Sequence, residues 1–174
     1  MLMQILTHTP KWVFVLFVGL LWLGLKQMLP RSMGINRATI VPLAMTALSL
    51  YGVVSVFGET PQTLLTWVVG AAVAFAVYFQ LSSTAKIQYD AASRRFNVPG
   101  SVVPLILFMG IFLTKYAVGV SITLQPALAH DSSFALSIGM LYGAFSGVFL
   151  ARAAQLWRVA LAQPQADAHK TSLA

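Results

Sequence analysis

The chain has 174 residues, of which 58% are hydrophobic and 9% charged, and its mean hydropathy is +0.79. A soluble domain of this length cannot bury so much apolar surface, because small domains leave a large share of their residues exposed. The composition therefore excludes an ordinary soluble domain, and the lack of cysteine excludes disulfides, thiolate metal sites and cysteine nucleophiles.

Five apolar stretches are long enough to cross a bilayer as helices. A hydrocarbon core about 30 Å thick needs roughly 20 helical residues, since a helix rises about 1.5 Å per residue. The predicted spans lie near residues 12–29, 39–57, 62–81, 102–124 and 133–151. The sequence thus predicts an all-α, polytopic transmembrane helical bundle within residues 1–160, followed by a flexible cytoplasmic tail at 161–174.

Basic residues fall almost entirely on alternate connectors, and such residues near span ends are retained on the cytoplasmic side. One side has Lys26, Arg31, Arg37, Lys86, Arg94, Arg95, Arg152, Arg158 and Lys170. The other side has only Lys11, together with Glu59 and Asp131. Five spans with this bias predict an outside amino terminus and an inside carboxyl terminus. The net charge of +7 thus reflects topology, and no basic stripe with interleaved aromatics indicates a nucleic-acid partner.

A similar pattern opens the second and fourth predicted spans, as TIVPL at 39–43 and SVVPL at 101–105. The hydroxyl can cap the first amides of a helix, and a proline in the first turn loses no helical hydrogen bond. Ala74-Phe75 in the third span also resembles Ala144-Phe145 in the fifth. The pattern indicates two parallel-repeat helical hairpins behind one leading helix, with chance similarity between apolar segments as the alternative.

The connector between the third and fourth spans is polar enough to leave the membrane. Ile87 and Tyr89 alternate with polar neighbours, as do Phe96 and Val98. This alternation predicts a small cytoplasmic β-hairpin. Arg94 and Arg95, which lie between its two strands, can contact anionic lipid headgroups. A solvated loop without a specific partner is the alternative.

Lys115 lies well inside the fourth predicted span, where ionisable side chains are rare and costly. None of the predicted spans supplies an acidic partner. The side chain can snorkel toward the headgroups. Alternatively, it can form a site for an anion, lipid or substrate with Tyr116, Ser137 and Tyr142.

Small residues recur at every fourth position along one face of the fifth predicted span. They are Ala135, Gly139, Gly143, Gly147 and Ala151. Such a face lets another helix backbone approach closely. Its partner is either a neighbouring span of the same chain or a second copy, which would give a homo-oligomer.

No complete catalytic, nucleotide-binding or metal-binding pattern occurs in the sequence. His8, His130 and His169 all lie outside the predicted spans, so the intramembrane pair needed for a buried haem is missing. No serine has a histidine or lysine at motif spacing. We therefore expect no catalytic residue, no cofactor and no metal.

Three short motifs carry a resemblance that covers nearly the whole chain. Ile87-x-Tyr89-Asp90, Phe96-x-Val98-Pro99-Gly100-Ser101 and Phe112-x-x-Lys115-Tyr116 resemble a family of small uncharacterised bacterial inner-membrane proteins, classed as a domain of unknown function. The five-span plan with a basic first connector is more loosely similar to CcdC-like membrane proteins. The resemblance implies a bacterial inner-membrane location and no established activity or functional residue.

The sequence thus favours a non-enzymatic structural, assembly or accessory protein that contacts membrane lipids. The alternative is a small transporter or channel-like protein that binds an anionic ligand or lipid at Lys115. The two hypotheses differ in the environment of Lys115. In a transporter or channel-like protein it lines a polar cavity, and in a structural protein its side chain snorkels toward the headgroups.

Overall fold

The computed structural model describes residues 10–58, 60–82, 87–90 and 93–171, with side chains up to residue 162. The elements are α1 (Lys11–Lys26), β1 (Arg31–Gly34), α2 (Ile35–Phe57), α3 (Pro61–Leu81), β2 (Gln88–Asp90), β3 (Arg95–Val98), α4 (Val103–Leu124), a 3-10 helix (Pro126–His130) and α5 (Ser132–Thr171). They form two compact units. The first contains α1, α4 and the 3-10 helix, and the second contains α2, α3, α5 and the three strands.

Four helices of the described chain are long and apolar enough to cross a membrane. They are Ile35–Phe57, Pro61–Leu81, Val103–Leu124 and the Ser132–Ala162 part of α5. The predicted first span corresponds to α1, which has 16 residues and measures about 24 Å, less than the thickness of a hydrocarbon core. The mainly helical fold with several helices able to cross a membrane is therefore confirmed, whereas the fifth span and the orientation stay predictions.

In the first unit, α1 and α4 pack in antiparallel directions. Gly24 of α1 lies against Leu105, where an added Cβ would come within 3.0 Å of the Leu105 Cα. One end of α1 thus meets the start of α4, and Phe17 meets Phe112 further along, with ring centroids 5.5 Å apart. The missing glycine side chain allows the two helices to approach closely.

In the second unit, α5 runs parallel to α3. The successive neighbours are Thr63 with Gly139, Trp67 with Gly143, and Ala71 with Gly147. Both residue numbers rise together along the interface, which makes the two helices parallel.

The second unit also places α2 against α5 in the antiparallel direction. Phe57 at the end of α2 meets Phe134 near the start of α5, with ring centroids 5.8 Å apart. At the other end, the Trp157 Nε1 donates a hydrogen bond to the Thr39 hydroxyl at 3.0 Å. Helix α5 therefore contacts both of the other long helices of its unit.

A three-stranded antiparallel sheet completes the second unit, in the order β1-β3-β2. The predicted hairpin is present as β2 and β3. The strand β1 was not predicted, because it has only four residues and pairs with a strand more than 60 positions away, Arg31 opposite Val98. The cytoplasmic location of the sheet stays a prediction.

The sheet packs on the ends of α2 and α5 through its own apolar core. Phe96 of β3 is fully buried and clusters with Ala38 of α2 and with Leu156 and Ala160 of α5. Partly buried residues surround this cluster, namely Met33, Ile35, Ile87, Tyr89 and Val98. Leu156 lies about 36 Å along α5 from Ser132, so the sheet packs beyond the length of helix that a hydrocarbon core covers.

Helix α5 has 40 residues and is far longer than the predicted span at 133–151. An α-helix of this length measures about 60 Å, twice the thickness of a hydrocarbon core. The predicted span ends with the apolar run, and the helix continues beyond it. The helix reaches Thr171, and the predicted flexible tail at 161–174 stays a prediction.

The predicted first turn of the second span is wrong. Helix α2 begins at Ile35, so Pro42 lies inside it, and the Thr39 hydroxyl donates to the Ile35 carbonyl at 3.1 Å instead of capping the helix. In α4, by contrast, Pro104 lies in the first turn, and the Ser101 Oγ accepts a hydrogen bond from a backbone amide at 3.2 Å. The two similar patterns thus occupy different helix positions, because β1 leads directly into α2. The internal repeat stays a prediction.

Candidate functional site

The glycines of α5 lie against the backbone of α3. A Cβ on Gly143 would overlap the carbonyl oxygen of Trp67, and one on Gly147 would overlap that of Ala71. At Gly139 an added Cβ would come within 3.0 Å of the Thr66 hydroxyl. The two helices therefore pack backbone to backbone, at a separation that no larger residue permits.

The ends of the small-residue face are also buried. Ala135 is 8% exposed and Ala151 is fully buried. A further glycine of the same interface, Gly70, belongs to α3, where an added Cβ would overlap the Met140 carbonyl oxygen. Gly70 was not predicted from the sequence, because one glycine in an apolar run forms no pattern.

Buried hydroxyl groups connect the three long helices of the second unit. The Ser49 hydroxyl of α2 donates to the Tyr142 carbonyl of α5 at 3.0 Å, and the Trp67 Nε1 of α3 donates to the Ser49 Oγ at 3.2 Å. The Ser146 hydroxyl donates to the same Tyr142 carbonyl at 3.1 Å. Within the described residues, no buried side-chain nitrogen or oxygen lacks a hydrogen-bond partner. The interior of the unit is thus closely packed and fully hydrogen-bonded.

The four predicted ligand-binding residues are divided between the two units. Lys115 and Tyr116 belong to α4 in the first unit, and Ser137 and Tyr142 belong to α5 in the second. The Lys115 side chain is exposed, and the Tyr116 ring stacks on Phe112 with centroids 6.4 Å apart.

Ser137 and Tyr142 point to different sides of α5. Ser137 is exposed and its hydroxyl donates to the Ser133 carbonyl at 2.8 Å, whereas Tyr142 is buried. Five helical positions correspond to a rotation of about 140°. These two residues therefore do not form one site, and a ligand site at Lys115 stays a prediction.

Metal-binding residues do not cluster in the described part of the chain. It contains no group of three or more His, Cys, Asp or Glu residues that could hold an ion. His130 ends the 3-10 helix, whereas His8 and the side chain of His169 lie outside the described residues.

Polar side chains link the end of α3 to α5, on the carboxyl-terminal side of the glycine contacts. An Arg152 Nη1 donates to the Tyr78 hydroxyl at 3.0 Å, and the Gln155 Nε2 donates to the Ser82 carbonyl at 3.2 Å. Gln155 is 4% exposed. The burial of this side of α5 by α3 is a tertiary effect, which the spacing of residues in the sequence does not show.

Arg31 lies on the inward face of the small sheet. Side chains two residues apart on a strand share a face, and Met33 packs on the apolar core. Arg31 pairs with Val98, whose side chain also packs there, and it is half-buried. Burial lowers the pKa of Arg31, and the charges of Arg37 and Arg152 lower it further.

The outward face of the sheet carries different contacts. The Arg95 Nε donates to the Ser32 hydroxyl at 2.8 Å, and Arg95 is opposite Asp90 in the strand register. Arg94 in the turn adopts a left-handed backbone conformation with φ 52°. From the sequence, Arg31, Arg37 and Arg152 indicated only the topology, because the burial of Arg31 in the sheet depends on the fold.

A family model matches nearly the whole chain. The model of a family described as "Family of unknown function (DUF6622)" matches residues 1–168. No curated protein and no solved structure matches the chain. The looser similarity to CcdC-like membrane proteins therefore stays an expectation.

Proposed function

The chain belongs to DUF6622, a family of unknown function, and we propose that it is a multi-pass bacterial inner-membrane protein with a non-enzymatic structural, assembly or accessory role. The observation that supports this role most directly is the filled interior of the second unit. There α3 and α5 pack through glycine, and the buried polar side chains of the described residues bond to one another or to the backbone. Such an interior suits a scaffold better than a permeation path, which needs polar groups facing a cavity.

The outer faces of α2 and α3 support membrane lipids as partners. Ile40 is 62% exposed, Tyr51 69% and Leu65 63% in the structure. Exposure of these side chains to water is unfavourable in free energy, whereas contact with lipid acyl chains is not. The long apolar helices thus have the surface that a lipid environment requires.

The glycine face of α5 contacts α3 of the same chain. A homo-oligomer built through this face would require α3 to leave it, at the cost of the backbone contacts at Gly143 and Gly147. An assembly role is therefore better supported through the lipid-facing sides of the helices.

Native mass spectrometry of the protein released from a mild detergent tests this proposal. The wild-type chain is compared with Lys115→Met, which keeps an unbranched apolar stem and removes the charge. We expect the same assembly state and the same bound molecules for both proteins. A specific anionic adduct that disappears in Lys115→Met would instead favour a binding or transport function.

A further inference from the structure

A cation–π contact links the far ends of α3 and α5. The Arg158 guanidinium of α5 lies over the Phe79 ring of α3, 5.8 Å from its centroid. Phe79 in turn stacks on Phe75, one turn earlier in α3, with nearly parallel rings whose centroids are 5.6 Å apart. A ring face positions a guanidinium without using its N–H donors, so this exposed arginine is held in place and still able to bind an anion.

Arg158 lies at the level where α3 ends. The Gln155 Nε2 donates to the carbonyl of Ser82, which directly follows α3, and Arg158 comes less than one turn after Gln155. Helix α3 has 21 residues and measures about 32 Å, close to the thickness of a hydrocarbon core. Trp157 is 38% exposed, and exposed indoles favour the headgroup layer. The Arg158 guanidinium is thus at the depth of lipid phosphates, which rests on the membrane location proposed above.

One apolar side of α3 continues from the Phe79 ring toward the middle of the helix. Its members recur at intervals of four, three and four positions, the spacing of one helix side, and are Val68, Ala72, Phe75 and Phe79. Val68 is 53% exposed, Ala72 is exposed and the two rings are half-buried. This side is about 16 Å long, roughly the depth of one leaflet of a hydrocarbon core. An acyl chain can therefore lie along it when the headgroup is at Arg158.

We propose that Arg158 and this side of α3 bind one anionic phospholipid, with the phosphate at the guanidinium and an acyl chain along the helix. Guanidinium groups bind phosphate oxygens through paired, charge-assisted hydrogen bonds. The apolar side that continues from the ring favours a lipid over a soluble anion, because free phosphate gains nothing from apolar contact.

Lipid titration of the purified full-length protein in detergent, followed by native mass spectrometry, tests the site. The probes are phosphatidylglycerol and phosphatidylcholine, and we expect the wild-type protein to prefer phosphatidylglycerol. Arg158→Gln should weaken phosphatidylglycerol binding about tenfold, because it removes the charge-assisted hydrogen bonds to the phosphate. Arg158→Lys keeps the charge but not the planar fork, and about a threefold loss is expected. Arg158 is exposed, so both variants should fold like the wild-type protein.

The matched control is Arg37→Gln, which removes the same charge from an exposed position in the first turn of α2. Thr39 in this turn accepts the hydrogen bond from Trp157, so the control lies at the same end of the second unit. We expect at most a twofold loss, because this charge contributes only screened, longer-range attraction.

Three results would overturn the proposal. Equal losses in Arg158→Gln and Arg37→Gln would show non-specific attraction of the lipid. Equal binding of phosphatidylglycerol and phosphatidylcholine by the wild-type protein would show apolar contact without recognition of an anion. Inorganic phosphate that displaces the lipid and itself remains bound would show a free-anion site.

The outcome is independent of the Lys115→Met comparison. An adduct lost only in Lys115→Met would overturn the assembly role and leave the Arg158 site standing. Unchanged lipid binding in Arg158→Gln would overturn the Arg158 site alone.

Discussion

Single atoms decide how closely α3 and α5 approach each other. The hydrogen at the Cα of Gly143 faces the Trp67 carbonyl, and any side chain there would displace one helix backbone. In lipid, such close packing replaces the hydrophobic effect as the main source of helix association. The second unit therefore depends on glycine at this position in a way that a water-soluble bundle would not.

Gly143→Ala is expected to destabilise the protein. The added methyl would push against the backbone of α3, and overpacking of this kind costs about 1–3 kcal/mol. Gly119→Ala is the matched control, because a Cβ there meets nothing within 4 Å. Unfolding in sodium dodecyl sulfate, followed by circular dichroism, compares the two. Equal stability of both variants would contradict the backbone contact.

Ser49→Ala is expected to lower stability by about 0.5–1.5 kcal/mol, the range of hydrogen bonds between membrane helices. It removes the acceptor of the half-buried Trp67 indole and the donor to the Tyr142 carbonyl. Ser137→Ala serves as the control, since that hydroxyl is exposed and bonds only within its own helix. The same unfolding titration measures both, and a larger loss in Ser137→Ala would speak against the buried network.

At the scale of single residues, the sequence predicted the contacts whose residues recur at a regular spacing. The spacing of Gly139, Gly143 and Gly147 revealed a packing face, because a repeat of four follows one side of a helix. The hydroxyl contacts of Ser49 were not predictable, since their partners come from two other helices and no spacing records them. Lys115 was predicted as a candidate site residue because it is a charge within an apolar run. In the structure it lies in a different unit from Tyr142.

Among the elements, the sheet and the far half of α5 depend on each other. The apolar core around Phe96 combines one residue from the sheet with residues from two helices. The hairpin was predictable from the alternation of Ile87, Tyr89, Phe96 and Val98. The strand β1 was not, because its partner is remote in sequence and a four-residue segment has no periodicity of its own.

Phe96→Ala is expected to loosen the sheet and leave the helix pair intact. Truncating a fully buried phenylalanine costs about 3–5 kcal/mol, all of it in this local core. Hydrogen exchange should therefore accelerate at Gln88–Asp90 and Arg95–Val98 while α3 remains protected.

Phe14→Ala provides the comparison for Phe96→Ala. Phe14 lies on α1 and is 45% exposed, so its removal leaves no cavity. Exchange in the sheet should match that of the wild-type protein. Accelerated exchange in the sheet of both variants, or in α3 of Phe96→Ala, would contradict a separate sheet core.

At the scale of the whole molecule the topology stays a prediction, and the helix directions within the second unit are the observation that bears on it. Helix α5 runs parallel to α3 and antiparallel to α2, as alternate membrane crossings require. Charge counting along the sequence led to the same alternation, because lysine and arginine resist translocation. The number of spans was less predictable, since α1 has a helical length below that of a hydrocarbon core.

Single-cysteine labelling tests the orientation, because the chain has no cysteine of its own. Ser132→Cys and Ser93→Cys place exposed thiols at the start of α5 and in the turn of the sheet. We expect a membrane-impermeant maleimide to label only Ser132→Cys in intact cells and both variants after lysis. Labelling of Ser93→Cys alone in intact cells would invert the topology.

The strand order of the sheet determines when the sheet can form during translation. The central strand, β3, leaves the ribosome last, and each edge strand can pair only with it. Between the end of β1 at Gly34 and that of β3 at Val98, translation adds about 60 residues, which takes several seconds at roughly 5–20 residues per second. During this interval α2 and α3 emerge, and β1 has no strand to pair with. The nascent chain can therefore form its sheet only after α2 and α3 have been synthesised.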